Sequence, residues 1–163
     1  LSYNSDLIGC QYFPNCSLYG AKAIHSKGAL FGSIITYDRI IRCNEGAQFN
    51  HNAMGGFYYS DGRLVDPVNY FPSTSNSKSP MLAAGLSAVV PGSGRVYAGR
   101  LIMDGIYGFL FSTMTFQLAQ NSIKKDSAFS PLFIGIALMA YGGEIYGAHR
   151  TAKYYQRNKK SQK

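Results

Sequence analysis

The chain has 163 residues, 46% of them hydrophobic and 15% charged, with a formal net charge of +8 and an isoelectric point near 9.4. That length admits one or two small domains, and the basic excess points to an anionic partner, either nucleic acid or the surface of an acidic membrane. Three cysteines cannot all pair within one chain, which argues against a secreted disulfide scaffold and for free thiols in a reducing compartment.

The chain opens on Leu1 rather than Met, which reads as a fragment or a processed product. Cys10 and Cys16 bracket Pro14, and Ser17 is placed to cap a helix through its hydroxyl. Ala21, Lys22, Ala23 and Ile24 favour that helix, and Gly28 reads as a break before a second one. In the second helix Leu30, Ile34, Tyr37 and Ile41 recur on one stripe, with Arg39 and Arg42 off it and Cys43 at its end. Five residues between the first two thiols is unlike the spacing of common zinc sites, so no metal is expected there; His51 or His25 would be the fourth ligand if one bound. A thiol at a helix N-terminus is open to activation, which makes Cys16 a conceivable nucleophile, yet a structural role for the three thiols is the stronger reading.

Cys10, Tyr12, Pro14, Cys16, Ser17, Tyr19, Ala23, Ile24, Gly28, Gly32, Arg39, Arg42 and Cys43, closed by Asp66-Pro67-Val68, resemble the pattern of the YidD-type membrane protein insertion efficiency factors. The likeness covers roughly the first 70 residues. Lys22 stands where that pattern commonly has Glu, Asn15 where it has Thr, and Asn44-Glu45 where it has His-Pro. The resemblance implies a small bacterial protein of the inner membrane that assists insertion of newly made membrane proteins beside the Sec and YidC machinery. A membrane-active, haemolysin-like role, a label the family has also carried, is the alternative.

Residues 44–65 are loop-like, with Phe57–Tyr59 and Arg63–Val65 forming a short hairpin over Asp61-Gly62. His51 falls in this loop and is expected to be solvated. Serine, proline and asparagine dominate 69–80, which marks a linker between a cysteine-bearing domain, 1–68, and a second domain, 81–163.

Beyond the linker a ten-residue apolar run, Met81–Val90, is too short to span a bilayer. Pro91, Gly92, Gly94, Tyr97 and Gly99 fit a Pro-Gly-x-Gly-x-x-Tyr-x-Gly pattern that resembles small two-helix membrane hairpins of bacteria. There the glycines would allow a tight bend and Tyr97 would suit the membrane interface. Two runs follow, Leu101–Leu118 and Pro131–Ala148, each near the lower limit of ~17–20 residues for a transmembrane helix. Gly143 and Gly147, four apart, would let helices approach closely. Folding the pair near residue 124 or 125 puts Arg100, Asp104, Glu144 and His149 at one depth. They read as a salt-bridge cluster locking the two helices, or as a polar notch for a client's hydrophilic groups or a proton.

The expected fold is thus mostly α, a helix–Gly–helix cysteine domain followed by a transmembrane helical hairpin. Six of the 16 Lys and Arg residues lie in the last fourteen positions, which places both ends in the cytoplasm, with the cysteine domain on the cytoplasmic face. An upstream signal peptide would reverse that, and Cys43 would then pair with one of the two N-terminal thiols. Arg39, Arg42 and the basic tail are expected to hold the protein on anionic phospholipid. No catalytic constellation and no cofactor site is legible. Nucleic-acid binding is not expected, because the basic residues are scattered and no stacking platform accompanies them.

Overall fold

The computed structural model describes residues 10–69 and 77–155. The interior of the expected linker and the tail residues Arg157, Lys159, Lys160 and Lys163 lie outside the described residues. The fold is mostly α, as expected, with seven helices and one small sheet among the described residues.

Helix α1, Cys16–Lys27, is capped not by Ser17 but by Asn15, whose side chain accepts from the Leu18 N–H at 2.9 Å. Ser17 is exposed and its hydroxyl donates to the same Asn15 oxygen. Asn15 sits in extended backbone just ahead of the first turn, the geometry an N-cap needs, whereas Ser17 is already helical. Gly28 makes the expected break: its φ is +81°, open to glycine at no steric cost, and α2, Ala29–Arg42, starts directly after it. The two helices close tightly. A Cβ on Gly32 would stand 2.5 Å from the Ile24 backbone.

The expected stripe on α2 is displaced. Ile41 is buried, but Leu30 is 66% exposed, and the buried face carries Gly32, Ile35, Asp38, Arg39, Ile41 and Arg42. Helix α3, Ala47–Ala53, follows. Strand β1 is Tyr12–Phe13, β2 is Phe57–Tyr58 and β3 is Leu64–Val65. The expected hairpin pairs β2 with β3, Phe57 opposite Val65, and Gly62 takes the positive φ of its turn. Strand β1, for which two residues gave no periodicity, adds in parallel on the other side, Tyr12 opposite Leu64.

Helix α4, Pro80–Val89, is capped by Ser79 and carries proline in its first turn, where the missing N–H costs nothing. A single-turn helix α5, Ser93–Tyr97, leads to α6, Ile102–Lys124, and α7, Ser130–Tyr154. Helix α7 is the post of the fold, since α2, α4 and α6 all pack on it. The α6–α7 pair is the expected hairpin, turning through Asp126 at φ +46°. Of the expected spanning pair, α7 alone is long and apolar enough to cross a membrane among the described residues. Helix α6 matches it in length, but Ser112, Thr113, Thr115, Gln117, Gln120 and Asn121 dilute its hydropathy.

Candidate functional site: an inside-out helix pair on an ionic knot

The buried face of α6 is Asp104, Gly105, Gly108, Ser112, Thr115, Ala119 and Ser122, spaced three and four apart. Its exposed residues include Ile102, Met103, Ile106, Phe109, Leu110, Met114, Phe116, Leu118 and Ile123. Helix α7 is built the same way: Ala140, Gly143, Glu144, Gly147, Ala148, Thr151 and Ala152 face inward, while Leu132, Ile134, Leu138 and Tyr141 face out. Helices of a water-soluble protein put the apolar stripe inside. This pair puts small and polar groups inside and large apolar groups outside, the arrangement of helices that pack in lipid. Between the two, with Pro91, runs a groove of about 690 Å³ lined by Phe109, Phe116, Ile134, Leu138 and Tyr141, with Ser112, Thr113 and Gln120 as its polar members.

A network of buried charge ties α2, α5 and α7 together. Arg95 and Glu144 are 0% exposed and bridge at 2.9 Å, and Arg95 also reaches Asp38 at 2.9 Å. Arg42 joins Asp38 at 2.8 Å to Asp66 at 2.7 Å. Arg39, also 0% exposed, donates to the Asp66 carboxylate at 2.6 Å and to the Pro14 carbonyl at 2.9 Å. Its guanidinium lies over the Tyr12 ring at 3.9 Å and the Tyr19 ring at 4.7 Å. Arg150 closes the network on Asp66 at 3.1 Å. The knot therefore ties residues on both sides of the linker into one charged core. Burial alone would raise the Asp38 carboxyl, but the charges of Arg42 and Arg95 outweigh it and hold it at about 2. Asp66 is held well below the usual carboxylate range in the same way, by Arg42, Arg150 and Arg39 against burial.

These placements correct two expectations. Arg39 and Arg42 were expected to face anionic headgroups; both are buried and paired, and Arg150 of the tail is drawn inward as well. Spacing alone put them off the apolar stripe, and an Asp66 carboxylate distant in sequence brought that face inside. The expected cluster of Arg100, Asp104, Glu144 and His149 does not form. Glu144 faces Gly108 and Ser122 faces Ser130, a register centred on Asp126 rather than on residue 124 or 125. That shift removes Asp104 from Glu144. Asp104 accepts instead from Asn44 and Asn50, each at 2.7 Å. Arg100 is buried, and no ion pair joins it or His149 to Glu144 among the described residues.

The second motif acts as a bend. Gly92 takes φ +89° and donates its N–H to Glu144 at 3.0 Å; Gly99 takes φ +105°. Gly94 lies against the Ala83 carbonyl and Ala148, where a Cβ would collide. Pro91 and Tyr97 are half-buried, Tyr97 packing beside Ala83, Ala98, Ala148 and Ala152. Arg95, an unspecified position of that motif, turned out to be its centre. A lone arginine between glycines carried no signal of burial. Gly143 and Gly147 do permit a close approach, but of α2: a Cβ on Gly143 would stand 2.8 Å from Tyr37 Cβ.

At the other end, the thiols of Cys10, Cys16 and Cys43 gather within 4.8 Å of one another. Cys16 is not activated by its helix. Its hydrogen bond to Cys43, with burial next, pushes it above the ordinary thiol value, while the same bond pulls Cys43 down. His51 is buried rather than solvated. It belongs to α3, meets the Phe57 carbonyl at 2.8 Å, and burial pushes its pKa below the usual value. Pro14 is buried and Pro67 exposed beside these elements.

The comparisons with known proteins concern the N-terminal part. The family model "YidD: Putative membrane protein insertion efficiency factor" matches residues 3–55. Among the similar proteins are several called putative membrane protein insertion efficiency factor. In Exiguobacterium sp. the identity is 50% over 72 residues, covering 44% of this chain and 62% of the relative. In Streptomyces avermitilis it is 50% over 42 residues, covering 24% and 36%. In Histophilus somni it is 37% over 76 residues, covering 45% and 70%. The chain thus spans between about a third and two thirds of most of these relatives. No solved structure matches it.

Proposed function

The chain belongs to the YidD family of membrane protein insertion efficiency factors, and from that premise we propose that it is a non-enzymatic membrane accessory protein that assists insertion of newly made inner-membrane proteins. The observation that carries this reading is the inside-out construction of α6 and α7, which gives the chain an apolar exterior suited to lipid. The two helices sit in the bilayer, and the segment 10–69 lies at the end where α6 begins and α7 finishes. The groove lined by Phe116 and Leu138 takes an apolar segment of the incoming protein, and Ser112, Thr113 and Gln120 offer hydrogen bonds to its polar groups. The partners on this reading are the lipid itself, the Sec and YidC insertase, and the nascent protein; the membrane is the bacterial inner membrane, with the cysteine segment on the cytoplasmic side.

A photoactivatable residue at Leu138, in membrane vesicles translating an inner-membrane protein, tests this. Adducts to the apolar segments of the nascent chain, with slower insertion in vesicles depleted of this protein, are the expected result. Unchanged insertion after depletion, with adducts to lipid alone, overturns it.

A further inference from the structure

The geometry of Cys10, Cys16 and Cys43 points to a tris-thiolate site for a soft d10 metal ion, Zn²⁺ or Cu⁺. The three come from different parts of the N-terminal fold: Cys10 ahead of β1, Cys16 at the first residue of α1, and Cys43 at the C-terminal cap of α2. Their sulfurs lie within 4.8 Å of one another, and Cys10 Sγ is 3.6 Å from Cys16 Sγ. Thiolates bound at ~2.3 Å to one centre stand about 3.8 Å apart in a tetrahedral site and about 4.0 Å apart in a trigonal one. The observed cluster brackets both values, so closing it on an ion needs only small movements of side chains.

The scaffold holds the cluster in place. Cys10 and Cys43 pack against buried Tyr12, Ala47 and Leu64, and all three cysteines are half-buried, shielded yet reachable. The sulfurs already share hydrogen bonds among themselves. A bound ion would replace those shared protons, releasing them as it binds.

The donor set fixes the class of ion. Sulfur ligands select zinc and copper(I) over magnesium or calcium, which take oxygen. The group contains no imidazole or carboxylate among the described residues. Three thiolates complete a trigonal copper(I) site, whereas zinc would keep a fourth position open to water. The inference stands apart from the insertion reading and can fail or hold without it.

The full chain, purified with reductant and freed of metal, is titrated with Cd²⁺ as a probe of thiolate ligation by its ultraviolet charge-transfer band, then with Zn²⁺ and Cu⁺ in competition with a chelator. One ion per chain with three thiolates engaged is expected. Cys10→Ser, Cys16→Ser and Cys43→Ser should each weaken binding more than about a hundredfold, since even an outer-sphere change commonly costs 10- to 100-fold. Alkylation of the unaltered chain is the check that needs no variant: bound ion should shield all three thiols together. Binding that survives any single substitution, or thiols alkylated equally fast with and without the ion, overturns the site.

Discussion

Arg39 and Arg42 converge on one oxygen, Asp66 Oδ2, at 2.6 and 2.7 Å, while Arg150 takes the other at 3.1 Å. Asp66→Asn would keep the shape but leave three guanidinium groups short of their counter-charge. Breaking a buried pair from one side costs about 3–5 kcal/mol, so the variant should unfold at markedly lower denaturant concentration than the parent in detergent. Lys22→Ala, an exposed change, is the control and should shift nothing. The same carboxylates set an acid limit. Asp38 is held at about 2 against an unfolded value near 3.9. A depressed carboxylate contributes stability that is full above the unfolded value and is lost as pH falls through the folded one. Melting temperature should therefore hold steady down to about pH 4 and drop between about pH 4 and pH 2. An unchanged midpoint at pH 2 would mean that the knot contributes nothing to stability.

Helix α7 reaches its neighbours through glycine. A Cβ at Gly147 would land on Arg95 Nη2 and Asp38 Oδ1, and one at Gly135 would meet nothing within 4 Å. Forcing a methyl into a filled site costs about 1–3 kcal/mol or more, while alanine in place of an unconstrained helical glycine gains up to about 1 kcal/mol. Gly147→Ala should lower the thermal midpoint and Gly135→Ala should hold or raise it; equal effects would mean that α2 does not dock on α7 as described. At this scale much was legible beforehand. Gly28 announced the break between α1 and α2, Asp61-Gly62 the hairpin, and the apolar runs the α6–α7 pair. The partners of the charges were not. Asp38, Asp66, Arg95 and Glu144 are far apart in sequence, and spacing within one helix says nothing about which carboxylate arrives from elsewhere. The four-group rim cluster failed for a related reason: the expected register was one or two residues too early, so Asp104 does not face Glu144, and Asn44 and Asn50 take it instead. The thiols lie 6 and 27 residues apart in sequence, too irregularly for any local motif to announce their meeting point.

Across the whole molecule, the outside of the hairpin is greasier than its inside, and the knot explains how such a body keeps charge. Helix α7 has 25 residues, about 37 Å at 1.5 Å each, against a hydrocarbon core of about 30 Å. Glu144 lies about three fifths of the way along it, so a spanning α7 carries Glu144 towards the membrane interior. There an unpaired charge costs about 2.5–3.5 kcal/mol or more. Glu144 avoids that cost by facing Arg95, with both groups sealed at 0% exposure. A charge placed on the outer surface has no such partner. Phe109→Lys with Phe116→Lys, both on exposed positions of the groove and leaving Leu138 free to carry the photoactivatable residue, therefore separates lipid from water as the surroundings of this hairpin. In water the double change would improve solubility and leave folding intact. In lipid it should cost several kcal/mol, shift the protein from the alkali-resistant membrane pellet towards the supernatant, and abolish crosslinks to nascent chains. Full retention in the pellet, with crosslinks undiminished, would show that α6 and α7 do not present these residues to the bilayer, and the insertion reading would lose its structural support.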